Sequence, residues 1–424
     1  MVTTFYPPYH FGGDGEAVRR LAHALARRGH QVDVIHDIDA YHTLTRRKPT
    51  PLVEPEGVRV HGLRSPLGAL SCLATQQLGR PLVHGREIRR ILDQGFDVIH
   101  FHNISLVGGP GILSYGSAIK LYTAHEHWLV CPSHVLWRHN REVCTGRECL
   151  RCVLHYKRPP QLWRNTTFLE RQSRHVDAFL TLSTFSAEKH REYGFDRPMT
   201  LIPAFLPDQD TPGPPSGAAG AGPSGGASYF LFVGRLEAIK GLQDLIPRFR
   251  GDGSAELWIA GRGAYEPELQ RLAAGSTRVR FLGQQSAEQL RVLYRGAVAV
   301  VVPSVCYEVF PMVVLEAFRE GTPIIARALG PLPEIVTRSG GGLLFTSNEE
   351  LDAALATMAQ DPGRRDQLGK AGARAFNDHW RESVAMESYF GVIRGVAQRR
   401  GLTGAVSAQF EAPETGVLTG YRLP

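Results

Sequence analysis

The chain has 424 residues, 43% hydrophobic and 21% charged, with a formal net charge of +7. That is a globular composition, long enough for two or three domains, and no apolar run approaches the roughly 20 residues that span a bilayer. The positive balance suits anionic partners such as nucleotides, phosphates or an acidic membrane face; a solvated Arg-rich surface is the plainer reading. Nucleic acid is not expected, because no Lys-rich or Arg-rich tract is present. The start, "MVTTFYPPYHFGG", lacks the basic region, apolar core and small-residue cleavage site of a secretory leader, so a cytoplasmic location is expected.

Residues 1–206 alternate short apolar runs with amphipathic segments. "MVTTFY" reads as a strand and "HFGGDG" as a Gly-rich turn. "EAVRRLAHALARRGH" reads as a helix, because Val18, Leu21, Ala22 and Leu25 recur at helical spacing. Gly29 stops that helix, and "QVDVIHD" forms the next strand. Further strands are predicted at "FDVIHFHN", "AIKLYTAHEHW", "AFLTLS" and "MTLIPA". This β-α-β alternation implies a parallel sheet with right-handed crossovers.

Residues 207–228, "PDQDTPGPPSGAAGAGPSGGAS", hold almost no apolar bulk and read as a linker. Beyond it the pattern restarts. Strands at "YFLFVG", "AELWIAG", "VRFLG", "VAVVVP" and "PIIARA" alternate with helices at "LQDLIPRF", "EPELQRLA", "AEQLRVLYRGA" and "PMVVLEAFREG". Residues 229–380 thus form a second parallel, doubly wound unit. Residues 381–400 form a terminal helix packing back toward the N-terminal unit, and 401–424 a tail. The fold class is α/β, with two Rossmann-like units whose sheets face each other across a cleft.

Four charged residues stand out in the second unit. Arg235 and Lys240 follow the strand "YFLFVG", where two fixed cations can neutralise a diphosphate; a solvated surface pair is the plain alternative. In "SVCYEVFPMVVLEAFREG", Glu308 and Glu316 sit eight apart among apolar side chains, where carboxylates need partners. Proline favours a first helical position, so a helix is predicted from Pro311, leaving the amides of Met312, Val313 and Val314 as an anion site. Glu308 then lies in the loop before it. Glu316 lies about one and a half turns inside, placed to accept hydrogen bonds from hydroxyls such as those of a ribose; pairing with Arg319 is the alternative.

"GRLEAIKG", "GRG", "FLG" and "PSVCYEVFPMVVLEAFREGTPIIARALGPLPEIV", in this order, resemble the C-terminal half of the family 4 retaining glycosyltransferases of the GT-B fold. The Glu-x7-Glu spacing from Glu308 to Glu316 is that family's signature. "YPPYHFGGDGEAVRRLAHALARRGHQVDVI" is similar to the family's opening strand, glycine loop and helix. The resemblance implies transfer of a sugar from a UDP-, GDP- or ADP-sugar, with retention of configuration. The acceptor would be a sugar, a lipid-linked or a small molecule, in polysaccharide, glycolipid or secondary-metabolite synthesis. It implies that Arg235 and Lys240, with Gly234 in the same turn, bind the donor diphosphate and help it leave. Glu308 would contact the transferred sugar and Glu316 the ribose. The backbone along Phe310, Pro311, Met312 and Val313 would hold sugar and phosphates. Gly12 and Gly13 would admit the phosphates, and His125 would hydrogen-bond the donor sugar near the reaction centre. No catalytic metal is expected, because Arg, Lys and the helix terminus supply the positive charge. Peripheral binding to the inner membrane face, through "GREIRR" and "HYKRPPQLWR", is a further expectation. The sequence departs from the family pattern at Val309 and Pro311, where glycine is common, and in a short opening strand.

Four cysteines, Cys131, Cys144, Cys149 and Cys152, are spaced C-x12-C-x4-C-x2-C. In a reducing compartment such a set points to a tetrahedral structural zinc, less readily to an iron–sulfur cluster, or to free thiols. Cys72 and Cys306 look isolated.

Three other readings compete. In an NAD-dependent enzyme Asp37 would be the ribose-binding acid, but the glycines do not form G-x-G-x-x-G and the second half would have no role. A non-catalytic nucleotide-sugar-binding protein would not hydrolyse its donor. A sugar phosphorylase or sugar-phosphate synthase would use the same fold on a different acceptor.

Overall fold

The computed structural model describes residues 1–45, 48–208, 228–251 and 253–402. Almost all of the predicted linker and of the tail therefore lies outside the described residues. On the N-terminal side, β1 (Val32–Asp37) pairs with β2 (Val58–Leu63), and β3 (Val98–Phe101), β4 (Ile119–Ala124), β7 (Ala178–Thr181) and β8 (Met199–Leu201) form a second set. All these pairings are parallel. Val2 bridges Ile35 of β1 on one side and Phe101 of β3 on the other, joining the two sets. The predicted strand "MVTTFY" is thus only a short central rung. Pro7 and Pro8 follow at once, and proline cannot donate to a ladder. The remaining two strands, β5 (Trp137–Arg138) and β6 (Glu142–Val143), make a small antiparallel pair within the cysteine-bearing segment.

On the C-terminal side, β9 (Ser228–Val233), β10 (Ala255–Ala260), β11 (Val279–Gly283), β12 (Ala299–Val302), β13 (Ile324–Arg327) and β14 (Gly342–Phe345) are ordered β11-β10-β9-β12-β13-β14. The chain reverses direction across the sheet between β9 and β12, and such a switch point opens a crevice at the strands' carboxyl ends. The loops leaving β9 and β12 carry Lys240 and Glu308. Side chains alternate along β9: Tyr229 and Leu231 enter one core, Phe230 and Phe232 the other. Burial on both faces explains why these strands read as continuous apolar runs.

Two helical details differ from expectation. "LQDLIPRF" is helical only over Leu242–Leu245 and then tightens to a 3₁₀ turn, Ile246–Phe249, because Pro247 removes a donor. Helices Asn348–Gln360 and Pro362–His379 occupy a stretch given no element above. Ser347 and Glu350 form a capping box there, a signal already present in "SNEE".

The final helix, Glu382–Arg399, buries Met386, Tyr389, Phe390, Ile393 and Val396 against Val18, Leu21, Ala22 and Leu25 of helix Gly13–Ala26. Glu382 is nearly inaccessible and accepts bonds from Arg27 and Arg28 at the end of that first helix. The preceding Trp380 belongs to the C-terminal core, so this one crossing anchors both units.

Candidate active site

Lys240 ends the 3₁₀ turn Ala238–Lys240, and Gly241 follows at φ 76°. A Cβ on Gly241 would lie 1.9 Å from the Pro303 carbonyl oxygen, so only glycine lets this turn press against the end of β12. The Val305 amide donates to Ile239 O at 2.9 Å and ties the two loops together. The result is a short pair, Lys240 Nζ to Glu308 Oε1, 2.6 Å. Ser304 Oγ donates to the same oxygen at 2.8 Å. Burial works against Lys240's charge, but Glu308 outweighs it and holds the pKa above the usual lysine value. Burial likewise opposes ionisation of Glu308, yet the ammonium and the Ser304 hydroxyl leave its pKa below the usual glutamate value. Both groups are therefore charged at neutral pH. Arg235 is half exposed and bound only to Glu237, at 2.7 Å, among the hydrogen bonds of the described residues.

The helix after Glu308 runs Met312–Arg319, with Pro311 as its N-cap rather than its first residue. Val314 N already donates to Pro311 O at 3.0 Å. The predicted trio of free amides is thus reduced to those of Met312 and Val313. The Phe310, Met312 and Val313 side chains pack on the C-terminal core, and Phe310 lies beside Trp380. Glu316 does not pair with Arg319, which turns to Glu320. Its Oε2 accepts from the Tyr294 hydroxyl at 2.7 Å, and its Oε1 lies 3.8 Å from Arg20 of the N-terminal unit.

The N-terminal wall meets these groups directly. Gly12, at φ 74°, caps helix Gly13–Ala26, and a Cβ on it would lie 3.7 Å from Arg235 Nε. Gly13 has open space around it. Asp14 Oδ1 accepts from Gly15 N, and its Oδ2 receives the Asn103 amide at 3.3 Å. Burial, with Glu126 nearby, raises the Asp14 pKa. Ser183 Oγ donates to Val309 O at 3.0 Å, and Glu334 accepts the amides of Thr184 and Phe185 at 3.0 and 3.1 Å. These bonds join the loop of Glu308 to the opposite unit. Arg20, Asn103, Ser183, Tyr294 and Glu334 escaped the sequence reading because each meets its partner from a distant segment; Ser304 escaped because a serine four residues before Glu308 carries no signature of its own.

His125 follows the last residue of β4. Its Nε2 lies 2.9 Å from Nδ1 of His102, whose ring packs 4.0 Å from that of His100. His100 reaches Thr123 Oγ1 at 2.7 Å and the Tyr389 hydroxyl at 3.2 Å. Burial pushes the His125 pKa down to about 4 against the opposing pull of Glu126, and lowers those of His100 and His102 as well. At neutral pH the set is uncharged, so one nitrogen of the His102–His125 contact donates and the other accepts. His102 thereby selects the tautomer of His125. We expect His102→Ala to lower kcat by about tenfold, with partial recovery in His102→Asn, which restores a polar partner. Steady-state kinetics of the two variants check this; equal kcat in alanine and wild-type proteins would remove the positioning role.

The four cysteines of the C-x12-C-x4-C-x2-C set lie in one segment around the small β5–β6 pair. Among the described residues no three of the four sulfurs lie within 4.8 Å of one another. Cys131 Sγ contacts Ser133 Oγ, Cys144 Sγ donates to Gly146 O, and Cys152 Sγ accepts from His139 N. Cys149 faces solvent, and all four are free thiols. Cys131 and Cys144 nonetheless lie near enough to Cys149 and Cys152 to raise their thiol pKa values, after the larger effect of burial. Cys72 and Cys306 are isolated and buried, as expected, and burial pushes each thiol up to about 12. Asp37, the acid of the NAD alternative, is buried and caps Ala40 N, so it is not open to a nucleotide's ribose as that reading requires.

Two facing parallel α/β units, with a cationic and a carboxylate group at the switch point, define a GT-B glycosyltransferase. Residues 11–209 match the family model for glycosyltransferase family 4, and residues 220–375 that for glycosyl transferases group 1. The chain belongs to family 4 of the glycosyltransferases. It is 28% identical over 415 residues to a D-inositol 3-phosphate glycosyltransferase of Pseudarthrobacter chlorophenolicus, covering 90% of this chain and 91% of that one. It is also 28% identical to a glycogen synthase of Mycobacterium tuberculosis, covering 88% of each. Among solved structures it superposes on sucrose-phosphate synthase from Thermosynechococcus elongatus with TM-score 0.67, at 21% identity, covering 95% of this chain and 98% of that one. Anabaena HepE in complex with UDP-glucose gives TM-score 0.62 at 16% identity, covering 95% of this chain and 99% of that one. These likenesses establish the fold.

Proposed function

We propose that the chain transfers a sugar from a nucleoside-diphosphate sugar to an acceptor with retention of anomeric configuration. The observation that carries this reading is the Lys240–Glu308 pair at the switch point, with Arg235 beside it facing Gly12. Arg235, Lys240 and the two free helix amides gather positive charge where the departing diphosphate develops its negative charge. Glu308 is held ionised to accept from sugar hydroxyls, and Glu316 is placed beyond it for the ribose. The departing phosphate takes the acceptor's proton in a front-face substitution. The protein contributes position and electrostatics rather than a nucleophile. The crystallised neighbour with UDP-glucose makes a UDP-sugar the first donor to try. Incubating the protein with UDP-, GDP- and ADP-sugars and following the anomeric proton signal tests the reading. An inverted product, or no transfer or hydrolysis with any donor, counts against it.

The N-terminal unit, which we read as the acceptor side, has a further feature. Leu70, Leu73, Leu78, Leu82, Leu154 and Leu162 are exposed. Arg80, Arg86, Arg89 and Arg90 are exposed around the Leu82 segment. The Gln76–Pro159 and Trp163–Gln76 bonds place the leucine helix Ala69–Leu78 beside the segment that carries Leu162. Apolar side chains ringed by arginines suit an anionic bilayer surface and a lipid-linked acceptor. No helix among the described residues is long and apolar enough to cross a membrane. Flotation with vesicles containing anionic lipid, against neutral vesicles, tests the association.

A further inference from the structure

A second cluster of ionisable side chains lies at the carboxyl end of β1. Asp37 is the last residue of β1, Asp39 sits in the next turn, and His84 immediately precedes helix Gly85–Leu92. One ligand atom from each of the three lies within 4.8 Å of the other two. The three side chains are buried, with residue exposures of 1%, 4% and 5%. His84 Nε2 makes no hydrogen bond. It lies 3.4 Å from Asp39 Oδ2, which is long for an N–H···O bond, whose usual length is about 2.9 Å. The same separation matches the edge of a ligand tetrahedron, about 3.4 Å when the metal–ligand bonds are about 2.0–2.1 Å.

The carboxylates are held in place from behind. Asp39 Oδ2 accepts both the amide and the hydroxyl of Ser65, each at 2.8 Å, and Asp37 Oδ1 accepts from Ala40 N at 3.0 Å. Such outer bonds orient ligands and sharpen their direction. Two buried carboxylates beside an imidazole nitrogen that makes no hydrogen bond suit a cation held between them. We propose that Asp37, Asp39 and His84 bind one divalent first-row transition ion such as manganese or zinc. An oxygen–oxygen–nitrogen set suits these ions, and water completes the coordination. The ion pins three sequence-distant segments, namely the end of β1, the loop of Ser65 and the start of helix Gly85–Leu92. Thr4 O accepts from Asp37 N, so the pinned strand end adjoins the base of the glycine loop.

The test uses the full chain, freed of metal by a chelator and titrated with manganese chloride, followed by electron paramagnetic resonance of the free ion. Manganese is chosen because it disfavours the thiolates of the cysteine segment. One ion is expected per chain, with affinity at least about tenfold weaker in His84→Gln, the scale already reached by outer-shell changes. Cys149→Ser should bind as the wild-type protein does. The proposal is overturned by no binding in the wild-type chain, or by equal affinity in a His84→Gln protein whose far-ultraviolet dichroism is native. Should that variant fail to fold, Asp39→Asn is read by the same two outcomes. Manganese should also raise the thermal midpoint of the wild-type chain and not that of the variant.

Discussion

Replacing Lys240 by alanine is expected to lower kcat by about 10²–10³-fold with the fold intact, the usual cost of removing one preorganised electrostatic partner of a transition state. Lys240 is half-buried on a turn that Gly241 presses against β12, which fixes where its ammonium sits. In the absence of donor its ammonium is engaged by Glu308, and a diphosphate has to compete for it. The two partners should therefore differ in their effects. Glu308→Gln releases Lys240, so nucleoside-diphosphate binding should tighten by roughly tenfold, about 1.4 kcal/mol, while kcat falls because the sugar has lost a charged acceptor. Lys240→Ala should weaken binding and kcat together. Calorimetry with UDP, GDP and ADP, alongside steady-state rates, separates the two patterns. Full activity in both Lys240→Ala and Glu308→Ala would show that the site lies elsewhere.

Acid should unfold the protein steeply between pH 6.5 and 4. His125 falls to about 4 because it is buried, and His100, His102, His127 and His190 are also below the ordinary histidine value for the same first reason. The groups around the central three add little positive-charge tolerance: the Met1 ammonium, the Thr123 and Tyr389 hydroxyls, and Glu126 as the one favourable carboxylate. In this window the denatured chain takes up protons that the folded chain refuses. Stability therefore rises with pH, by up to about 1.4 kcal/mol per pH unit for each such histidine. Asp14 and Asp37, whose carboxyls burial raises, the latter to about 6, work the other way. His30 and His36 are lowered by burial as well, so two carboxyls against seven histidines leave a net loss on acidification. The lowered pKa of Glu308 adds to that loss only once the pH falls below the ordinary glutamate value of 4.5. Urea midpoints at pH 7.5, 6 and 5 should fall in that order, and a flat profile would show that the histidines are solvated.

Much of the architecture could be read from residue order. The alternation of apolar runs with periodic segments marked both parallel sheets, and Gly29 marked the end of the first helix. Arg235, Lys240, Glu308 and Glu316 were visible because charges at strand ends or inside apolar runs stand out against local expectation. The misses share a cause as well. "MVTTFY" has strand composition but only a rung's worth of pairing, because the neighbouring prolines and the space between β1 and β3 set its length. The cysteine spacing left a metal site or free thiols open, because spacing along a chain does not decide where sulfurs point.

The sequence by itself determined the fold class, the two-unit plan and the residue types at the switch point, since local periodicity and glycine, proline and charge placement are properties of neighbours along the chain. Only the tertiary structure decided that Lys240 holds Glu308, that Tyr294 and Arg20 hold Glu316, and that His102 holds His125. It alone brought His84 to Asp37 and Asp39. Each of these pairings joins segments at least 22 residues apart. A hydrogen bond or ion pair of that kind depends on distances of a few ångströms between groups, which the packing of whole helices and sheets sets and no local pattern records.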